Sequence, residues 1–357
     1  MKKKLLSVLL TTAMAATLLS GCGSTSTSTS SAADESAASE AASEIASEAA
    51  SSAASEAAAT ESSGETYKVA FLPTDMSMTF ASWLADELTA EFENYDDMEL
   101  TVIDSKNVLE NQLGNLEDCV AQSYDYIILL PIEPAAEDAI VENYIAEGTP
   151  IMNINLDDFG VETASSVIAN PYDLGTVVAE TAKEALADDA NVVVLLGPSG
   201  NTDSIERRRA YDDVLFSQTN INILDEQLGD WDKAKGMSLM ENWLQVYDNI
   251  DAVISMNDAM AIGAYEAAKD AGVADDILFY GVDGLADAAV SIQEGGLNAT
   301  ALQDAQVMAQ EGARIAHEVL TGANTEGYEK VQIPVTLITS DNVQEFIDRY
   351  TENGMLQ

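Results

Sequence analysis

The chain holds 357 residues, with 15 Lys and Arg against 62 Asp and Glu and a formal net charge of −47 at pH 7. So acidic a balance excludes a nucleic-acid binder, which gains affinity by releasing counterions to basic side chains, and disfavours anionic ligands such as sugar phosphates. Two cysteines and one histidine leave no material for a disulfide framework or a His-based metal site or triad.

The first element is an export signal. Lys2, Lys3 and Lys4 form a basic start, Leu5 to Leu19 an apolar run, and Leu19-Ser20-Gly21 lead into Cys22. This is the pattern of a lipoprotein signal, cut before Cys22 so that its thiol carries a diacylglyceryl group. The apolar run is short for a bilayer span, which takes about 20 residues. Residues 1–21 are therefore read as the signal peptide, and the mature protein as lipid-anchored at the extracytoplasmic face of a cell membrane. Removal of the three lysines makes the net charge three units more negative, so the lipid is the firm attachment to an anionic bilayer.

Residues 22–66 then read as a disordered tether. From Gly23 the stretch is almost all Ser, Thr, Ala and Glu, with eight acidic residues, no Lys or Arg, and Ile45 as its one large apolar side chain. It cannot bury enough surface to offset the entropy of ordering. About 44 such residues reach on the order of 35–40 Å.

From Tyr67 onward, apolar β-type runs alternate with amphipathic helical stretches. YKVAFLP (67–73), ELTVID (99–104), YDYIILLP (124–131) and PIMNIN (150–155) are separated by helices near 80–92, 108–122 and 135–147. The pattern restarts with SSVIA (165–169) and continues through NVVVLLG (191–197), INILDEQ (221–227), IDAVISM (250–256) and DILFYGVD (276–283), each followed by a helix. NATALQ (298–303) and VQIPVTLIT (331–339) flank a last long helix. Continuously apolar strands alternating with helices predict buried parallel sheets built from βαβ units. Two consecutive sets, in more chain than one core usually holds, predict an α/β protein of two doubly wound lobes joined by a hinge of several crossings. The expected division is 67–158 plus 304–334 for the N-terminal lobe and 159–303 plus 335–357 for the C-terminal lobe.

Ligands of such sheets lie beyond the carboxyl ends of the strands. That rule selects Thr74, Asp75, Asn155, Asn201, Asp203, Trp231, Asn257, Asp258, Asp283 and Gln303. Carboxylates and carboxamides suit the hydroxyl rim of a sugar, and an indole covers its C–H face. Each residue also has a plainer use: Asp203, Asp258 and Asp287 suit helix N-caps, Asp283-Gly284 a turn, and Trp231 a core position. No nucleophile–base pair stands out, no two carboxylates are singled out as glycosidase acids, and GPSGN (197–201) lacks the GK[ST] of a phosphate loop. Cys119 sits in the helical pattern Leu109, Leu113, Leu116, Val120 and reads as a buried core residue.

The segments NTDSIERRRAY (201–211), DWDKAKG (230–236), MNDAMAIGAYEA (256–267), FYGVDGLADA (279–288), ATALQDA (299–305) and IPVTLITSDNVQEF (333–346) resemble the type I periplasmic sugar-binding proteins of ABC importers. Within that superfamily, which includes ribose-binding protein, the likeness is to the galactose/glucose binder. The resemblance implies that Asn155, Asp203, Arg207, Asn257, Asp283 and Gln303 hydrogen-bond a sugar, that Phe80 and Trp231 sandwich its ring, and that Arg207 pairs with Asp283. Met78 stands where that relative has an acidic residue, Asn201 where it has a histidine, Leu156 where the family often has a basic residue, and residues 185–194 are too short for its calcium loop. The implied function is capture of a neutral monosaccharide, a hexose in the first place, with a pentose, inositol or nucleoside as alternatives. The implied partner is an ABC permease, with a chemoreceptor or histidine kinase as the alternative, for a monomer that needs no cofactor or metal and has no enzymatic turnover. The same fold serves sugar-responsive repressors, but here a signal and an acidic tether occupy the place of their DNA-binding domain.

Overall fold

The computed structural model describes residues 66–155 and 160–356. The signal peptide, Cys22, the tether up to residue 65 and Leu156 lie outside the described residues.

Two six-stranded sheets form the body. The first contains β1 (Tyr67–Leu72), β2 (Met98–Val102), β3 (Tyr126–Leu129), β4 (Ile151–Ile154), β5 (Ser165–Ile168) and β11 (Lys330–Gln332), in the order β11-β5-β4-β3-β1-β2. The second contains β6 (Asn191–Leu196), β7 (Asn222–Leu228), β8 (Ala252–Ser255), β9 (Leu278–Asp283), β10 (Ala299–Leu302) and β12 (Thr336–Thr339), in the order β12-β10-β9-β8-β6-β7. Every pairing is parallel except β10 with β12. The first five strands of each sheet share one order, so the chain builds the same doubly wound lobe twice, and the α/β two-lobe architecture is as expected.

Period-2 alternation sends the two faces of β1 to different helices. Val69 and Phe71 join the apolar cluster of α1 (Thr79–Phe92) and α9 (Ala305–Leu320), while Ala70 and Leu72 join that of α2 (Leu109–Ala121) and α3 (Pro134–Ala146). Cys119 is a buried free thiol in the second of these clusters. The edge strand β7 departs from the continuously apolar pattern, since its side chains are exposed or half-buried along its length.

One expected boundary is corrected. SSVIA does not open the second lobe: β5 pairs with β4 and β11 in the first sheet, so the first crossing comes after Ile168, not near residue 158. Periodicity marks a strand without saying which sheet it joins. The second crossing runs from β10 into α9. The third passes Pro334, splitting VQIPVTLIT into β11 of one sheet and β12 of the other.

Candidate ligand-binding cleft

A cavity of about 520 Å³ lies between the carboxyl ends of the two sheets. That volume falls in the range of small-molecule sites, roughly 300–1,000 Å³. Met78, Phe80 and Asn155 line it from the first lobe. Asn201, Asp203, Arg207, Trp231, Asn257, Asp283 and Gln303 line it from the second. Thr74 is also in the wall, whereas Asp75 is not: its Oδ1 accepts a hydrogen bond from the Ser77 amide at 2.8 Å, closing the turn that leads into α1.

The second-lobe wall is a connected polar network. Arg207, on α5 (Thr202–Val214), is buried; it donates from Nη1 to the Met256 carbonyl at 2.6 Å and from Nη2 to Gln303 Oε1 at 2.8 Å. Asp203 Oδ2, one turn back on the helix, lies 3.8 Å from Nη2. Gln303 then donates from Nε2 to Asp283 Oδ1 at 3.4 Å. This corrects the expected Arg207–Asp283 pair: the carboxamide of Gln303 bridges the guanidinium and the Asp283 carboxyl group, and the carboxylate within ion-pair distance of Arg207 is Asp203. Burial pushes the Asp283 carboxyl well above the usual carboxylate range; the neighbouring Asp258 charge adds to the rise, and Arg207 opposes it.

The N-caps also fall differently from expectation. α5 begins at Thr202, so its cap is Asn201, whose Oδ1 accepts from the Ser204 amide. Asn257 caps α7 (Asp258–Ala271), accepting from the Met260 amide at 3.0 Å, and its Nδ2 donates to the Trp231 carbonyl at 3.3 Å. Leu285 occupies the cap position of α8 (Ala286–Gln293). Asp203, Asp258 and Asp287 therefore sit inside the first turns. Asp258 is fully buried, its Oδ2 accepting from the Leu285 amide at 2.9 Å, and burial raises its carboxyl to about 7.

Trp231 is half-buried, with the Arg207 guanidinium 5.5 Å from its ring centroid. Gly197 makes room for the indole, since a Cβ there would lie 2.2 Å from ring atoms. Four cavity residues that are not glycine hold positive φ: Asn107 (53°), Asn155 (75°), Trp231 (64°) and Asp283 (126°). Such strained backbone persists where surrounding structure enforces it, and it gathers at functional sites.

Sequence reasoning missed the rest of the first-lobe wall, namely Asn107 after β2 and the Leu130–Ala136 segment with Glu133 after β3. The strand-end rule would have found both had it been applied to ELTVID and YDYIILLP. Behind that segment, Gln112 is buried and fixes it, donating to the Leu72 and Leu130 carbonyls and accepting from the Ile132 amide at 2.8 Å.

The two-sheet cleft with its polar wall has a counterpart in sequence: residues 69–324 match the periplasmic binding protein domain. The chain belongs to the periplasmic binding protein family. The family is one of solute-binding proteins rather than enzymes. The chain is 28% identical over 242 residues to the ribose import binding protein of Bacillus subtilis, covering 68% of this chain and 77% of that one. It is 25% identical over 290 residues to the xylitol-binding protein of Mycolicibacterium smegmatis, covering 81% and 82%. A crystal structure of an ABC transporter solute binding protein from Bacillus halodurans with bound myo-inositol superposes with a TM-score of 0.76 at 27% identity, covering 81% of this chain and all of that one. Among the described residues no His, Cys, Asp and Glu group could hold a metal ion, and no helix is long and apolar enough to cross a membrane.

Proposed function

We propose that this protein captures one neutral polyhydroxylated ring outside the cytoplasmic membrane and delivers it to an ABC permease. A monosaccharide of hexose size is the favoured ligand, with pentoses and cyclitols as the neighbouring class. The observation that carries the reading is the cavity wall: Arg207, Gln303, Asp203 and Asp283 present fixed donors and acceptors beside the Trp231 indole, and Phe80 and Asn155 face in from the other lobe. Directional polar groups match ring hydroxyls and aromatic faces match C–H patches. A ligand that touches both lobes stabilises the closed state by the difference in its contacts between closed and open forms. The inositol-bound structure and the relatives named for ribose and xylitol support a polyol of this size. The lipid anchor rests on the Lys2–Cys22 pattern.

Calorimetric titration with D-glucose, D-galactose, D-ribose, xylitol and myo-inositol tests the ligand class. Saturable heat is expected with at least one of them and none with glucose 6-phosphate. Absence of both heat and thermal shift with all five would end the reading. Detergent-phase partitioning of the exported protein, lost on Cys22→Ser, tests the anchor.

A further inference from the structure

The C-terminal helix α10 (Val343–Glu352) follows β12 of the second sheet, yet its Tyr350 touches both lobes. The Tyr350 side chain is fully buried. Its hydroxyl donates to the Gly284 carbonyl at 2.5 Å. Gly284 has φ 75° and directly follows Asp283, whose φ is 126°. Thr300 Oγ1 accepts from the Gly284 amide, and a Cβ at position 284 would meet Leu302 Cδ1 at 2.4 Å. The turn that aims Asp283 into the cavity is thus held from several sides, one of them by Tyr350.

Besides Phe346 on its own helix, with ring centroids 6.4 Å apart, the Tyr350 ring meets a residue of the first lobe. Trp83 of α1 packs edge-on against it, with centroids 6.1 Å apart and planes at 90°. Trp83 in turn packs edge-on against Phe80 at 6.1 Å and 88°, and Phe80 lines the cavity. Phe80, Trp83, Tyr350 and the Asp283-Gly284 turn therefore form one path behind the cleft, joining its two opposite walls. Next to Tyr350, Arg349 binds both carboxylate oxygens of Asp304, at 2.7 and 2.5 Å, and Gln306 Oε1 at 2.9 Å, fixing the helix where the chain crosses between lobes.

We propose that Tyr350 is a positioning residue for ligand capture. Its hydroxyl fixes the Asp283 turn, and its ring ties that turn to α1 and Phe80, so the placement of one cleft wall depends on the other. This rests on the ligand-capture reading. Without the hydroxyl, a buried carbonyl loses its donor and the strained turn is freer to relax, so the Asp283 carboxyl group is presented less well.

The test uses the full chain and the variants Tyr350→Phe, Trp83→Phe and, as a matched control, Tyr247→Phe, which loses a hydroxyl donated to the Leu224 carbonyl at 3.0 Å away from the cleft. For each of D-glucose, D-ribose and myo-inositol that the parent binds, Tyr350→Phe should raise Kd roughly tenfold. Tyr247→Phe should leave Kd unchanged although both variants lower the melting temperature of the ligand-free protein. Unchanged Kd in Tyr350→Phe overturns the inference, because a purely structural hydroxyl would move melting alone. Amide exchange of ligand-free protein is the second arm. Trp83→Phe, a change in the first lobe, should speed exchange across 283–286 in the second, and unaltered exchange there overturns the coupling. If the parent binds none of these three, D-galactose and xylitol take their place in the same comparison; if it binds none of the five, the ligand reading fails and the exchange arm alone decides the coupling.

Discussion

Arg207 donates from Nη2 to Gln303 Oε1 at 2.8 Å, bridging 96 positions of chain and joining a helix of the second lobe to the strand end where the chain crosses back to the first. Gln303 spends its other end on Asp283, so one carboxamide serves a cation and a carboxyl group at once. Gln303→Ala removes both bonds and leaves buried polar atoms unpaired, at about 1–3 kcal/mol for each group stranded. The expected outcome is at least a tenfold rise in Kd by calorimetry together with a lower melting temperature. Binding equal to the parent would remove Gln303 from the site.

The wall after β3 carries a pH dependence of its own. Glu137, in the first turn of α3, is fully buried and accepts weakly from the Ile132 and Glu133 amides at 3.3 and 3.4 Å. Burial outweighs these bonds and raises its carboxyl from 4.5 to about 7. Between those values the native state holds a proton that the unfolded chain has released, so stability falls as pH rises from about 4.5 to 7 and is level above. The loss is at most on the order of 3 kcal/mol. Glu137→Gln keeps an acceptor oxygen and removes the titration, so its urea midpoint should gain on that of the parent as pH rises through this window. Parallel profiles for the two proteins would refute the assignment.

The sequence carried the architecture well because burial and periodicity are local. Phe71 and Leu72 announce opposite faces of one strand, and the apolar runs located the strands to within a few residues. What it hid was pairing. SSVIA looks like the opening of a new unit, and only hydrogen bonding to β4 shows that it closes the old one. The cleft was legible in part for the same reason: strand ends can be read, but partners cannot. Arg207 could be placed near Asp283 without any sign that Gln303 intervenes. Asn257, not Asp258, caps α7, because a helix start is uncertain by a residue and both side chains suit the role.

Trp231 is held in a left-handed backbone conformation (φ 64°) with its carbonyl bonded by Asn257 and its ring near the Arg207 guanidinium. That is more constraint than a surface indole needs. Trp231→Ala should weaken sugar binding tenfold or more, about 1.4 kcal/mol for each factor of ten, while the melting temperature of the ligand-free protein falls little, since the ring is only half-buried. Retained affinity would show that the indole does not face the ligand.

Gly197, just after β6, gives a sharper test because the three atoms nearest a side chain there all belong to the indole. A methyl group there would lie 2.2 Å from two atoms of the Trp231 ring and 2.7 Å from a third, far inside contact distance, so the ring has to move. The backbone of Gly197 is absent from the positive-φ residues, so alanine brings no conformational strain of its own. Gly197→Ala should therefore leave folding cooperative, change the near-ultraviolet dichroism and emission of the tryptophans, and lower sugar affinity to a degree similar to Trp231→Ala. Combining the two changes should cost little more than Trp231→Ala alone, because the three atoms nearest the added methyl all leave with the indole. Additive losses would mean that Gly197 acts on the cleft by some route other than the ring.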